Sequence, residues 1–199
     1  MADEARTRVT QLLAELADGN AAAMDGLFSL LYDELRSIAH RQRRRWHGDH
    51  TMQTTVLVHE AFLKLVDQDR IPAESRAHFL AVVARAMRHI LCNYARDRGA
   101  QKRGGAMEHV ALDESRDDAA AADSTSEPAE VLVALDEALA RLERIDPRQS
   151  GVVECRFFGG LTIEETASAL GVSPRTVKRD WAMAQAWLHR EMTAEREGR

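Results

Sequence analysis

The feature that most constrains the fold lies near the C-terminal end, where residues 161–179 read as two helices joined by a tight turn. Thr162 and Glu165 have the spacing of a capping box, in which the side chain of each residue accepts a hydrogen bond from the backbone amide of the other at the start of a helix. Gly171 predicts a left-handed residue that ends this first helix. Ser173 is a good cap for the next helix. The stretch therefore predicts a helix-turn-helix.

The second helix of this pair carries positive charge on its outer, leading turns. Its apolar residues recur at helical spacing on the opposite, inner face. A helix that binds in the major groove enters with its N-terminal residues foremost. Arginine there can read guanine with two hydrogen bonds, and lysine mostly contacts phosphate. We predict that duplex DNA is bound by Arg175, Thr176, Lys178 and Arg179. The alternative is an ordinary amphipathic hairpin with a solvated basic face.

Composition favours an all-α fold. The chain has 199 residues, of which only 11 are glycine and 4 are proline, whereas alanine, leucine, arginine and glutamate are abundant. No run is long and apolar enough to cross a membrane, and the first residues lack a signal-peptide pattern. Cys92 and Cys155 read as reduced, buried thiols, and the histidines show no ligand spacing. We therefore expect a cytoplasmic protein with no metal and no cofactor.

Charge alternates in blocks along the chain. The formal net charge of −5 hides a basic block over residues 75–105 and an acidic block over residues 108–146. A basic block suits nucleic acid. The acidic block suits a basic protein partner, or it keeps a linker solvated, which is the reading we favour for its first part, residues 113–127.

The apolar periodicity divides the chain into two helical parts. In the first part we predict helices near residues 7–17, 21–46, 54–67 and 75–98, with Gly99 and Gly104-Gly105 as the stops of the last one. In the second part we predict a helix from near residue 128, another from 146, and the helix-turn-helix. The segment between them is rich in alanine, aspartate and serine and has no apolar period. We predict two small helical domains, residues 1–105 and 128–199, joined by a flexible acidic linker over residues 106–127.

Three stretches in this order resemble the extracytoplasmic-function (ECF) sigma factors of bacteria. Residues 57–65, Leu-Val-His-Glu-Ala-Phe-Leu-Lys-Leu, look like the helix with which that family grips RNA polymerase. Residues 79–103 look like its basic helix that opens and reads the −10 promoter element. Residues 153–162 look like the entry to its domain that reads the −35 element. The resemblance covers nearly the whole chain.

The resemblance implies a promoter-specificity subunit of RNA polymerase with no catalysis of its own. Its partners would be core RNA polymerase and promoter DNA. It implies polymerase contacts by Leu57, Glu60 and Phe62. It also implies −10 contacts by Arg88, His89, Asn93 and Arg96, for which the alternative is a solvated basic face. The four cationic and polar residues of the recognition helix would then read the −35 element. Arg98, Lys102 and Arg103 would contact phosphate.

One departure from the family pattern suggests a switch. The family carries an acidic cluster before the polymerase-binding helix, and here residues 53–56 are Gln-Thr-Thr-Val. A phosphothreonine would restore negative charge at this helix N-terminus. This is similar to a sigma subgroup controlled by Ser/Thr kinases. Thr51 is the favoured site, and Thr55 and Thr54 are alternatives. The other reading is that these threonines cap and pack a helix, and an anti-sigma partner also stays open.

Two other classes of function compete with this one. A free-standing transcription regulator would carry the same helix-turn-helix, but it would add a ligand pocket or a receiver-like α/β pattern, which residues 1–105 do not show. An enzyme would need a nucleophile with its base, a glycine-rich phosphate loop or a metal cluster, and the sequence has none of these patterns.

Overall fold

The computed structural model describes residues 2–46, 53–67, 75–104 and 128–197, and its regular elements there are all helical. This confirms the predicted all-α fold class. The predicted linker, residues 106–127, lies outside the described residues. The elements are α1 (Ala2–Ala17), α2 (Ala23–Leu30), α3 (Tyr32–Trp46), α4 (Thr54–Val66), α5 (Arg76–Gly104), α6 (Pro128–Ile145), α7 (Pro147–Val153), a π-helical segment (Glu154–Phe158), α8 (Ile163–Leu170) and α9 (Pro174–Glu197).

Two predicted helices have different limits in the structure. The helix predicted over residues 21–46 is interrupted at Leu31, whose backbone has φ −103° and ψ 10°. The apolar period did not reveal this break because it continues across it: Leu27, Leu31 and Leu35 are all buried. Of the two glycine stops that we predicted for helix α5, the helix continues past Gly99 and ends at Gly104. A glycine costs only about 1 kcal/mol inside a helix, so it does not by itself end one.

The π-helical segment was not predicted. It shows as a hydrogen bond from the Gly159 amide to the Glu154 carbonyl oxygen at 2.8 Å, one residue wider than in an α-helix. Gly160, which follows, has φ +67°, a conformation that favours glycine. The segment ends with the buried Phe158 and turns the chain toward α8.

Helix α5 lies at the centre of the fold. It contacts α3 and α4 on the N-terminal side of the linker, and α6, α8 and the π-helical segment on the C-terminal side. One continuous apolar cluster joins Phe79 and Met87 of α5 to Leu132 and Phe158 from beyond the linker. The two predicted domains therefore share one core in this arrangement, and the boundaries between them remain a prediction.

Both cysteines are buried free thiols, as predicted. Burial raises the pKa of Cys92 to about 12 and that of Cys155 to about 12, so both thiols stay protonated at neutral pH. In the described part of the chain, no helix is long and apolar enough to cross a membrane. The same residues include no group of three or more His, Cys, Asp or Glu side chains that could hold a metal ion.

Candidate nucleic-acid interface

The turn of the helix-turn-helix forms through the caps that the sequence predicted. The Glu165 amide donates to Thr162 Oγ1 at 3.1 Å, and the Thr162 amide donates to Glu165 Oε2 at 2.9 Å, which completes the capping box. Gly171 ends α8 in the left-handed conformation, with φ 63° and ψ 33°. The Thr176 amide then donates to Ser173 Oγ at 3.1 Å at the start of α9. The geometry of the turn is thus fixed by contacts between neighbours in sequence.

Three of the four residues predicted to read DNA on α9 are exposed together. Arg175, Lys178 and Arg179 recur at spacings of three and four residues, so their side chains share one face of the helix. Thr176 is half-buried, and its hydroxyl lies 2.9 Å from Ser173 Oγ, so it belongs to the helix cap. The exposed cationic face is therefore made by the two arginines and the lysine.

A buried acid beneath this face was not predicted from sequence. Asp180 is 1% exposed, and its Oδ2 accepts from Arg148 Nε of α7 at 2.5 Å. Its Oδ1 accepts from Arg179 Nε at 3.2 Å. Burial alone would raise the pKa of Asp180, but the hydrogen bonds from Arg148 and Arg179 outweigh it and hold the pKa below its usual value. Asp180 therefore ties α9 to α7 and orients Arg179.

Helix α5 places two of its predicted −10 residues against acids of the C-terminal part. Arg88 is 4% exposed, and its guanidinium binds Asp136 and, at 2.6 Å, Oε1 of Glu154. It also lies over the ring of Phe158, 5.3 Å from the centroid. Arg96 Nη2 lies 2.9 Å from Asp136 Oδ2. These two arginines are thus already paired with carboxylates in this arrangement.

The other two predicted −10 residues have different surroundings. His89 lies beside Arg88, with 3.0 Å between His89 Nε2 and Arg88 Nη2. Burial and then the charge of Arg88 lower the pKa of His89 to about 4, so its imidazole is neutral at pH 7. Asn93 is exposed. It lines an open groove between α4 and α5, together with Glu60, Leu63, Lys64, Asp67, Ile90, Tyr94 and Asp97.

The predicted polymerase-binding residues on α4 also divide. Leu57 is completely buried in the core, so the surface of α4 is made by other side chains. Phe62 is half-buried and packs edge-to-face on Phe28, with ring centroids 5.0 Å apart. Glu60 is exposed. Sequence reasoning missed the exposed apolar residues of α4, whose spacing is a visible signal of a second apolar stripe: Val56, Leu63 and Val66, each more than 40% exposed.

The threonines before and within α4 lie at its N-terminus. The N-cap residue is Gln53, and Thr54 and Thr55 are the first two helical residues. Thr54 is half-buried and Thr55 is exposed, and the first turn contains no acidic residue. Thr51, the favoured site, lies outside the described residues.

The basic run at the end of α3 contacts the C-terminal part of the chain. Arg41 Nη2 donates to the Gly159 carbonyl oxygen at 2.7 Å. Gln42 is buried, and its amide nitrogen donates to the carbonyl oxygens of Ala84 at 3.0 Å and Phe158 at 3.4 Å. Both side chains thus hold the end of the π-helical segment against α3 and α5.

Comparison with known proteins gave one result at the level of family. A search of curated proteins and a search of solved structures each found no match. A family model described as ECF sigma factor matches residues 6–194, which include both helical parts and the helix-turn-helix. The chain therefore belongs to the ECF sigma factor family, whose members are sigma factors that direct transcription initiation.

Proposed function

We propose that this chain binds core RNA polymerase and directs initiation at specific promoters, with α9 reading the −35 duplex and α5 contacting the opened −10 strand. The observation that carries the proposal is the capped helix-turn-helix with its exposed cationic face in a chain that matches the family over residues 6–194. Binding and positioning are its chemistry, not catalysis. Its partners, polymerase and promoter DNA, would place it in the cytoplasm.

Promoter-dependent transcription tests the role of the α9 face. We would replace Arg175 and Lys178 by alanine and use Arg6 of α1 and Arg36 of α3, which are both exposed, as a control pair with the same charge change. The α9 pair should lose run-off transcription while still co-purifying with core polymerase. If both residues contact phosphate, the plot of log association constant for DNA against log salt concentration should be less steep by about 2 in the α9 pair. Equal loss in both pairs would contradict the proposal.

The same preparation separates the alternative function. A free-standing regulator would bind duplex DNA through α9 but would not co-purify with core polymerase. A sigma factor needs polymerase for promoter-dependent run-off transcription. DNA binding that persists without any polymerase association would therefore favour the regulator.

We further propose that phosphorylation of a threonine near the start of α4 strengthens polymerase binding. The absence of acids from the first turn of α4 supports this, as does the exposure of Thr55 beside the free amides of a helix N-terminus. Thr51 remains the favoured phosphorylation site because it precedes the helix in sequence, and Thr54 and Thr55 are alternatives. The proposal implies a Ser/Thr protein kinase as a partner, and it does not require an anti-sigma factor.

A pull-down with core polymerase tests this charge argument without knowledge of the kinase. Each of Thr51, Thr54 and Thr55 would be replaced in turn by aspartate, and in a matched variant by asparagine, which has the same shape but no charge. The aspartate at the regulatory position should increase polymerase capture over its asparagine control. Equal capture by all six variants and the wild type would refute the proposal.

A further inference from the structure

An acidic face of the C-terminal part covers the basic face of α5. Three carboxylates contribute, two from α6 and one from the π-helical segment, and each binds an arginine of α5. We call Asp136, Glu143 and Glu154 the acidic face, and Arg85, Arg88 and Arg96 the α5 arginines. The partners in each pair are 40 to 66 residues apart in sequence, so tertiary structure alone brings them together.

The contacts are close on both rims and at the centre. At one rim, Arg85 Nη2 lies 2.8 Å and 2.9 Å from the two carboxylate oxygens of Glu143, and both side chains are more than 40% exposed. At the other rim, Arg96 binds Asp136, which is 13% exposed. At the centre, Arg88 is shared between two carboxylates. The arginines thus present to the acidic face the hydrogen-bond donors that would otherwise meet phosphate.

The central pair is buried but not fully satisfied. Arg88 Nε and Glu154 Oε2 are buried without a hydrogen-bond partner among the described residues. A buried ionic network with unpaired atoms stabilises the fold less than a fully hydrogen-bonded one, because each unpaired atom has lost its hydrogen bonds to water without forming new ones. This contact can therefore exchange for solvated or phosphate partners more readily than a fully paired network could.

The closed arrangement cannot serve both promoter elements at once. The −10 and −35 positions are separated by about 25 base pairs, or about 85 Å of duplex at about 3.4 Å per base pair. Helix α5 has 29 residues and is about 44 Å long at 1.5 Å per residue, and α8 packs directly against it. The two halves must separate before α5 and α9 can reach both elements.

We propose that the acidic face is an intramolecular ligand of the α5 arginines and that single-stranded promoter DNA competes with it for the same guanidinium groups. The free chain is then closed, with its −10 surface occupied by its own carboxylates. Opening exposes the α5 arginines and separates the C-terminal part, in which α9 packs on α6, α7 and α8, from α5. The biological consequence rests on the proposed function, whereas the competition itself is a property of these six side chains.

Binding of a generic single strand tests the competition without knowledge of the promoter. We would measure polarisation of fluorescein-labelled dT20 with the full chain, with Asp136→Asn/Glu154→Gln, and with Asp25→Asn/Asp33→Asn. The control pair removes the same charge from exposed acids of α2 and α3. Apparent affinity equals intrinsic affinity scaled by the open fraction, so opening a chain that is about 90% closed should raise affinity about tenfold.

The outcome is decided by the difference between the two pairs. A gain confined to the acidic-face pair supports the proposal, and equal gains in both pairs, or none in either, overturn it. Glu143→Gln is a milder variant at the exposed rim, and it should give a smaller gain in dT20 affinity if the double variant does not fold. Circular dichroism would establish the folding of each variant.

Small-angle scattering reports the opening directly. A compact chain of this length has a radius of gyration of about 16 Å. Excess dT20 should increase the radius of the wild type, and the acidic-face pair should be expanded without DNA. An unchanged radius in both cases refutes the opening. Run-off transcription fails in every variant if the proposed function is wrong, whereas polarisation and scattering would still show the competition.

Discussion

Replacement of Arg88 by methionine should destabilise the protein far more than the same replacement at Arg85. Both arginines lie on α5 one turn apart, and both bind carboxylates of the C-terminal part. Arg88 is 4% exposed, whereas the side chains of Arg85 and its partner Glu143 are 44% and 42% exposed. Methionine keeps an unbranched apolar stem, so the change isolates the loss of the charged group.

The expected magnitudes follow from the burial of the partners. Loss of Arg88 leaves Asp136 and Glu154, which are 13% and 9% exposed, without their central cation. Breaking a buried pair in this way costs about 3–5 kcal/mol, because an uncompensated charge stays buried. An exposed pair such as that of Arg85 contributes about 0.2–1 kcal/mol. For a chain of this size the first loss lowers Tm by roughly 6–20 °C and the second by less than about 4 °C.

Urea unfolding followed by circular dichroism measures both values. A compensating variant, Arg88→Met with Asp136→Leu and Glu154→Met, should recover most of the stability, because apolar groups can replace a buried ionic cluster with little loss. Equal midpoints for Arg88→Met and Arg85→Met would refute the reasoning. That result would mean that water reaches the two carboxylates as soon as the guanidinium is removed.

Three further predictions concern single residues. The pKa of His89 is about 4 in the folded chain and near 6.5 in the unfolded chain, so the unfolded chain binds more protons between these two pH values. The stability of the fold should therefore decrease as the pH drops from 6.5 to 4. The variant His89→Gln should flatten this part of a plot of urea midpoint against pH. Parallel profiles would contradict it. Asp180→Asn should lower the free energy of unfolding by about 1.5–3 kcal/mol, because Arg148 loses a charged partner. It should also weaken DNA binding, because Asp180 orients Arg179. An unchanged urea midpoint and an unchanged DNA affinity would contradict the role of Asp180 in joining α9 to α7. Gly171→Ala should cost about 1–2 kcal/mol by thermal unfolding from backbone conformation alone, since nothing lies within 4 Å of the added methyl group, and an unchanged Tm would exclude strain at this turn.

Periodicity and cap signals predicted most of the helices, and their failures have physical reasons. The apolar period of residues 24–38 continues through the break at Leu31, so it could not distinguish one helix from two. Gly99 is a weak stop, and α5 passes through it. The π-helical segment depends on Glu154 and Phe158, which are both buried against the other half of the chain. No local signal in the sequence marks a segment of that kind.

The candidate site was predicted unevenly. The α9 residues could be found because their exposure follows from the period of one helix. Leu57 was chosen as a polymerase contact although it is an apolar core residue, while the exposed Val56 and Leu63 on the same helix were missed. Two of the acids that contact α5, Asp136 and Glu143, were visible only as part of an acidic block, which we interpreted as a linker or a surface for a basic partner. For Asp136 and Glu143, that basic partner is the chain's own α5.

The sequence by itself determined the helix-turn-helix, because each of its caps joins residues three to five positions apart. The same locality made the all-α class and the family pattern readable from the chain. Only the tertiary structure decided that Arg88 and Arg96 face carboxylates instead of solvent, since their partners lie 40 or more residues away. The alternation of charge along the sequence provides a basic segment and acidic residues that can pair with it. Packing around α5 determines that they do pair, because burial of the shared apolar core brings the basic and acidic faces together.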